Sequence, residues 1–166
     1  ATITENSGVG TEIGLLSAED ADSGDTHIFS VTSGSEFVSI TGNQLLSKDL
    51  FDYETQTTHN VTVQVTDSGG ATMTRSFVLI VIDDNDSPTN ILLSSGSITE
   101  NSVVGTEIGT LSVADVDSGD SHTLELLTGQ EIVQISGNVI LSKVKFDYED
   151  QGSINFIVKG TDTGGK

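Results

Sequence analysis

The chain has 166 residues, 34% of them hydrophobic, and a formal charge of −19 from 25 acidic and 6 basic side chains. That balance excludes nucleic acid and anionic membrane surfaces as partners, and the lack of cysteine excludes a disulfide scaffold and thiolate metal sites. No apolar run reaches membrane-spanning length and no signal-peptide pattern is present, which predicts a soluble segment without direct membrane insertion.

Read in chain order, the first half predicts strands near 2–4, 11–18, 27–33, 36–41, 44–48, 58–66 and 72–82. These are short β-branched or alternating runs bounded by Gly, Asn, Asp and Ser, a pattern that fits an all-β sandwich rather than βαβ units. In the sixth, Val61, Val63 and Val65 alternate with polar residues, so one face is buried and the other wet. The seventh, "SFVLIVI", is continuously apolar and reads as more central. "TGN" at 41–43 and "DSGG" at 67–70 carry the turn chemistry of tight hairpins.

The second half repeats the first. "ITENSGVGTEIG" at 3–14 returns as "ITENSVVGTEIG" at 98–109, "DADSGDTH" at 20–27 as "DVDSGDSH" at 115–122, and "SKDLFDYE" at 47–54 as "SKVKFDYE" at 142–149. A single offset of 95 aligns everything without a gap, and 39 of the 71 comparable positions are identical. Two tandem modules of about seven strands each follow, 1–86 with an incomplete N-terminal strand and 87–166 with a missing C-terminal strand. The uneven cut suggests an excerpt from a longer array, or a subunit whose missing strands come from a neighbour.

If consecutive strands run antiparallel, the acids sort by pole. Glu5, Asp52 and Glu54 fall at the end where the seventh strand finishes, and Asp20, Asp22 and Asp67 at the opposite end. The linker "DDNDSP" then brings Asp115, Asp117 and Asp162 of the second module towards Glu5, Asp52, Glu54, Asp83 and Asp86. Two like charges 4 Å apart repel by about 1 kcal/mol in water and about 4 kcal/mol near a protein surface, so such a cluster needs a cation. Oxygen-only ligands favour Ca²⁺ over Mg²⁺, while zinc would ask for Cys or His, and the three histidines are better read as structural. "DADSGD" is not an EF-hand opening, because the loop position that should be Glu is Val31 in one copy and Leu126 in the other.

The ordered set "TEN", "DxDxGD", "FDYE", "TDSGG" and "DDNDSPT" resembles the cadherin repeat, and in particular the cadherin-like repeats of large bacterial surface and secreted adhesin-type proteins. The resemblance covers both copies and implies two Greek-key, Ig-like sandwiches joined end to end, with about three calcium ions per junction. It implies Glu5, Asp52 and Glu54 as ligands from the base of the first module, and Asp83, Asp84, Asn85 and Asp86 from the linker. From the second module it implies Asp115, Asp117, Asp162 and the backbone at Ser121. Asp20, Asp22 and Asp67 would be half of a site shared with a preceding repeat, and Glu100, Asp147 and Glu149 half of one shared with a following repeat. The linker is one residue shorter than the family's usual form, and without tryptophan the strand-swap adhesion of some vertebrate cadherins has no anchor here.

The function these features predict is a non-enzymatic, extracellular or cell-surface module whose partners are neighbouring repeats of its own array and either glycans or like molecules on another surface. Calcium would rigidify the rod. A carbohydrate-binding module is the first alternative, weakened by an aromatic content of only 5%, with Tyr53 and Tyr148 both inside the acidic motif. A filament subunit completed by a donated strand is the second. An enzyme is disfavoured, since no nucleophile elbow, zinc-protease motif or phosphate loop accompanies the paired carboxylates.

Overall fold

The computed structural model describes residues 1–22 and 24–166. Backbone contacts divide the chain into two units, Ala1–Asp84 and Asn85–Lys166. All regular structure among the described residues is β.

Unit 1 holds β1 (Thr2–Thr4), β2 (Glu12–Leu15), β3 (Ile28–Ser33), β4 (Val38–Thr41), β5 (Gln44–Ser47), β6 (Thr58–Thr66) and β7 (Thr72–Ile82). One sheet has the order β1-β7-β6-β3 and the other β2-β5-β4. β6 and β7 pair antiparallel from Thr58↔Ile80 to Thr66↔Thr72, as the "DSGG" turn requires. β1 runs parallel to β7, so Thr4 lies level with Ile82 and Glu5 emerges where β7 ends. The core is filled from both sheets, with Ile3, Val61, Val63, Leu79 and Val81 against Val38 and Leu45, and Phe51 closing one end. That shared core makes the unit a sandwich.

Unit 2 holds β8 (Asn90–Leu93), β9 (Glu107–Ala114), β10 (Thr123–Thr128), β11 (Val133–Ser136), β12 (Val139–Ser142) and β13 (Ile157–Thr161). Its sheets are β11-β12-β9-β8 and the pair β10-β13, packed over Ile108, Leu111, Val133 and Ile140. β1 and β8 have no regular counterpart in the other unit, and the repeat explains why. Residues equivalent to β1 lie at 97–99, where no strand equivalent to β7 is available to pair with them. Residues equivalent to β8 fall before Ala1 in register.

That second difference leaves a mark on unit 1. A cleft of about 620 Å³ is lined by Leu16, Ala18, Phe29, Val65, Met73 and Phe77, among others. In unit 2 the equivalent place is filled by Ile91 of β8, whose Cδ1 lies 3.3 Å from where a Cβ on Gly160 would stand. Two features depart from the sequence expectation. The strand expected over 11–18 is regular only over Glu12–Leu15, because its far end lacks the partner that β8 gives β9. β7 is central in its sheet, yet its apolar run is covered on one side only: Leu79 and Val81 are buried while Val78, Ile80 and Ile82 are exposed.

Candidate metal centres

At the end of unit 1 where β7 finishes, the "TEN" turn and "FDYE" are locked together by backbone groups. Asn6 sits in the left-handed region at φ 56°, which Asn tolerates better than most residues, and its N–H donates to Phe51 O at 3.1 Å. This turn tucks Glu5 inward until it is only 2% exposed. Its two oxygens accept the amides of Tyr53 at 2.7 Å and Asp84 at 2.9 Å. Asp52 caps its own turn, accepting the Thr55 amide at 2.8 Å and its hydroxyl at 2.9 Å. Carboxylate oxygens of Glu5, Asp52 and Glu54 come within 4.8 Å of one another. Asp83 and Asp84 follow directly on β7, both exposed.

The same triad recurs in unit 2 as Glu100, Asp147 and Glu149, again within 4.8 Å. Asn101 repeats the left-handed turn at φ 59°, and Glu100 accepts the Tyr148 amide at 3.1 Å. Here, however, all three acids are exposed. Glu5 owes its burial partly to the chain leaving β7, and unit 2 has no such strand.

At the opposite end of each unit the acids gather around the first loop and the last hairpin. In unit 1 the group is Asp20, Asp25 and Asp67, and in unit 2 it is Asp115, Asp120 and Asp162. Asp20 and Asp67, like Asp115 and Asp162, stand where the strand order predicts. Asp22 and Asp117 do not supply the third oxygen of these groups. Each instead donates its amide to the preceding Asp, at 3.0 Å and 3.2 Å respectively. Asp25 and Asp120 were missed, although "DxDxGD" ends on both. Their carboxylates accept hydroxyls from across the loop, Ser68 at 2.8 Å and Thr163 at 3.2 Å.

The linker residues that belong to unit 2 are bound to this end of it. Asn85 donates to Asp162 Oδ2 at 3.1 Å and to Asp86 O at 2.8 Å, and the Asp86 amide donates to Asp117 Oδ2 at 2.6 Å. Lys166 Nζ donates to Asn85 O. Gly164 lies so close beneath Asn85 that a Cβ there would stand 2.5 Å from its amide. Ser121 is exposed in the same loop.

His27 and His122 each meet an acid of their own loop: their Nε2 atoms lie 3.2 Å from Asp20 Oδ2 and 2.7 Å from Asp115 Oδ2. The His122 hydrogen bond holds the Asp115 carboxyl below the usual carboxylate range against the opposing effect of burial. For Asp20 the Asp22 amide does most of this, with His27 second. Burial works to raise Asp162, but the Lys166 amide, the Asn85 side chain and the Gly165 and Gly164 amides outweigh it and leave its carboxyl low. Groups kept anionic, gathered within a few ångströms and offering only oxygen, fit a hard divalent cation of high coordination number, and calcium best of all.

Tandem sandwiches with these paired acidic ends are cadherin-like domains. No protein-family model matches the sequence, but individual relatives do. The chain is 32% identical over 183 aligned positions to protocadherin-16 of Mus musculus, covering 98% of this chain and 6% of that protein. It is 33% identical over 131 positions to protocadherin gamma-A2 of Pan troglodytes, covering 72% of the chain and 14% of the relative. Among solved structures, the first two extracellular cadherin repeats of human protocadherin-24 match at TM-score 0.71 and 25% identity, over 98% of this chain and 82% of theirs. Repeats 1–4 of protocadherin gamma B7 match at TM-score 0.64 and 24% identity, over 100% and 44%. These relatives are animal protocadherins, not enzymes, and they lend no support to a bacterial source. The chain spans only a small fraction of the curated proteins it matches.

Proposed function

We propose that the chain is a calcium-dependent structural segment of an extracellular, adhesive repeat array, with residues 1–86 and 87–166 as successive repeats. The observation that carries this reading is the linker's attachment. Asn85 and Asp86 are hydrogen-bonded to Asp162 and Asp117, while Asp84 is hydrogen-bonded to buried Glu5. Glu5, Asp52, Glu54, the linker acids, Asp115, Asp117 and Asp162 would hold the ions, with Asp120 added by the geometry. Calcium supplies the countercharge that lets these carboxylates stay together, so rigidity and stability become linked to its concentration. Extracellular modules bind calcium in the range of about 10⁻⁴–10⁻³ M, which suits a surface and not the cytosol.

A calorimetric calcium titration after exhaustive chelation tests it. Saturation near about three ions per chain, weakened in Asp86→Ala, is the expected result. No calcium-dependent heat at several temperatures, with melting unmoved by chelator, would leave the acids as solubilising groups only.

A further inference from the structure

His59 is a buried titratable side chain of unit 1 that the acidic groups do not use. It points inward from β6, 7% exposed, opposite Leu79 of β7. Its ring centre lies 4.3 Å from that of Phe37 and 5.0 Å from that of Phe51. Nδ1 is buried and has no hydrogen-bond partner. In the neutral ring that atom can stay a bare acceptor. Protonation would turn it into a charged donor with nothing to donate to, which an apolar site penalises far more. The charges facing the ring are Asp49, which follows β5, and Glu36, in the turn before β4, and both are exposed. Lys48, beside Asp49 in sequence, directs its ammonium to Ser35 O at 2.8 Å. β7 contributes the apolar Leu79. An imidazolium in this place is relieved by admitting water or by swinging out, and either movement parts it from Phe51.

Phe51 connects that ring to the acids. It is 3% exposed, and its carbonyl accepts the Asn6 amide at 3.1 Å. The next residues are Asp52, then Tyr53, whose amide Glu5 holds, then Glu54. A displacement of Phe51 therefore pulls on the whole group of Glu5, Asp52 and Glu54. Unit 2 keeps the acids but not the histidine. Ile132, Phe146 and Ile154 stand where unit 1 has Phe37, Phe51 and His59, and all three pack on the apolar core of unit 2.

We propose that His59 is a positioning residue that makes calcium binding at this end of unit 1 sensitive to pH, its protonation parting the Phe37–His59–Phe51 stack and dispersing the acids beside it. The inference rests on the calcium reading of Glu5, Asp52 and Glu54. The closed stack holds the acids together and resists the proton, and the open stack does the reverse. Affinity is therefore full above about pH 6.5, the ordinary histidine value, and falls as pH drops through it. Linkage is reciprocal, so calcium opposes protonation of His59 by the same factor. The equivalent group of unit 2, with Ile154 in place of the histidine, lacks the device. Unit 1 thus releases its cation in mildly acidic surroundings, while ordinary carboxylates, which titrate near about pH 4, remain ionised.

Calcium titrations of the full chain at about pH 7.5 and about pH 5.5 test it, with the His59 imidazole followed by NMR on the same samples. The wild type should lose about fivefold or more in affinity at the lower pH, beyond any loss in His59→Ile. His27 and His122, which meet acids at the opposite ends of the units, are present in both proteins and cancel from that difference. His59→Gln covers the case in which His59→Ile packs poorly. In return, calcium should make His59 about fivefold harder to protonate. Equal pH dependence in the wild type and both variants, or a His59 titration that calcium does not move, overturns the switch and leaves the calcium reading intact. No calcium binding at the higher pH overturns that reading, and the switch with it.

Discussion

Glu5 Oε2 accepts the amide of Tyr53 across 48 residues of sequence at 2.7 Å, and the other oxygen of the same buried carboxylate holds Asp84. One side chain thus ties the end of β1, the "FDYE" turn and the exit of β7. Removing it leaves two amides without their acceptor in a buried place. Glu5→Ala should destabilise unit 1 by about 2–3 kcal/mol in the presence of chelator, because hydrogen bonds to a charged group are among the stronger ones. Glu100→Ala, in the exposed counterpart, should cost under about 1 kcal/mol. Urea denaturation of both variants measures the difference, and equal costs would contradict this account of Glu5.

His59 lies beneath the same turn, with its ring centre 4.3 Å from Phe37 and 5.0 Å from Phe51. It is 7% exposed and its Nδ1 is buried without a hydrogen-bond partner. Burial lowers its pKa, against the pull of Asp49 and Glu36, which raise it. The unfolded chain then binds a proton below about pH 6.5 while the folded chain resists it, so stability falls as pH drops through that window. The fall approaches about 1.4 kcal/mol per pH unit until the folded histidine itself titrates. His59→Ile, which copies Ile154 of the second repeat, should flatten the melting temperature between about pH 6.5 and 5. A variant with the same pH slope as the wild type would assign the effect elsewhere.

Much of this was legible in the sequence, and the residues show why. β6 declared itself through Val61, Val63 and Val65, and the turn at "DSGG" then fixed its pairing with β7. Once strand direction was assigned, the poles of Glu5, Asp52 and Asp67 followed from counting. Asp25 and Asp120 were not legible, because which Asp of a "DxDxGD" loop faces the last hairpin depends on how Ser68 and Thr163 reach across to it. The burial of Glu5, against the exposure of Glu100 in an identical motif, depends on a strand far away in sequence. The open side of β7 was hidden for a related reason: a continuous apolar run records no preference between its two faces.

Asp117 and Asp120, both in the first loop of unit 2, should behave differently when removed. Asp120 shares its oxygens with Asp115 and Asp162, whereas Asp117 accepts the Asp86 amide at 2.6 Å. Asp120→Asn should weaken calcium binding by about tenfold or more while leaving the chelated protein as stable as the wild type within about 0.5 kcal/mol. Asp117→Asn should weaken binding and also cost about 1–2 kcal/mol without calcium, since its hydrogen bond is charge-assisted. Calcium titration and chelator-arm denaturation on the same samples separate the two. Indistinguishable variants would return the loop to the simpler pairing expected from the D-x-D motif.

Gly34 shows where the sandwich itself is least tolerant. It is buried at the junction of β3 and β4, its φ is +82°, and a Cβ would stand 2.8 Å from Asn60 O and 3.2 Å from Val61 Cα. Both obstacles are backbone atoms of β6, the central strand that carries His59 inward and Thr62 outward, so neither can rotate away. Its own carbonyl accepts the Phe37 and Val38 amides at 3.1 and 3.2 Å, which pins the turn. Gly129 repeats the arrangement in unit 2, with Phe156 Cβ at 2.7 Å. Gly34→Ala should therefore cost about 3 kcal/mol or more, combining left-handed strain with displacement of β6. Gly42→Ala isolates the first contribution, because φ there is +62° and nothing lies within 4 Å of the added carbon. It should cost about 1 kcal/mol. Denaturant midpoints of the two variants give the contribution of the close approach by difference, and a Gly34→Ala cost no larger than that of Gly42→Ala would mean that β6 can yield at this point.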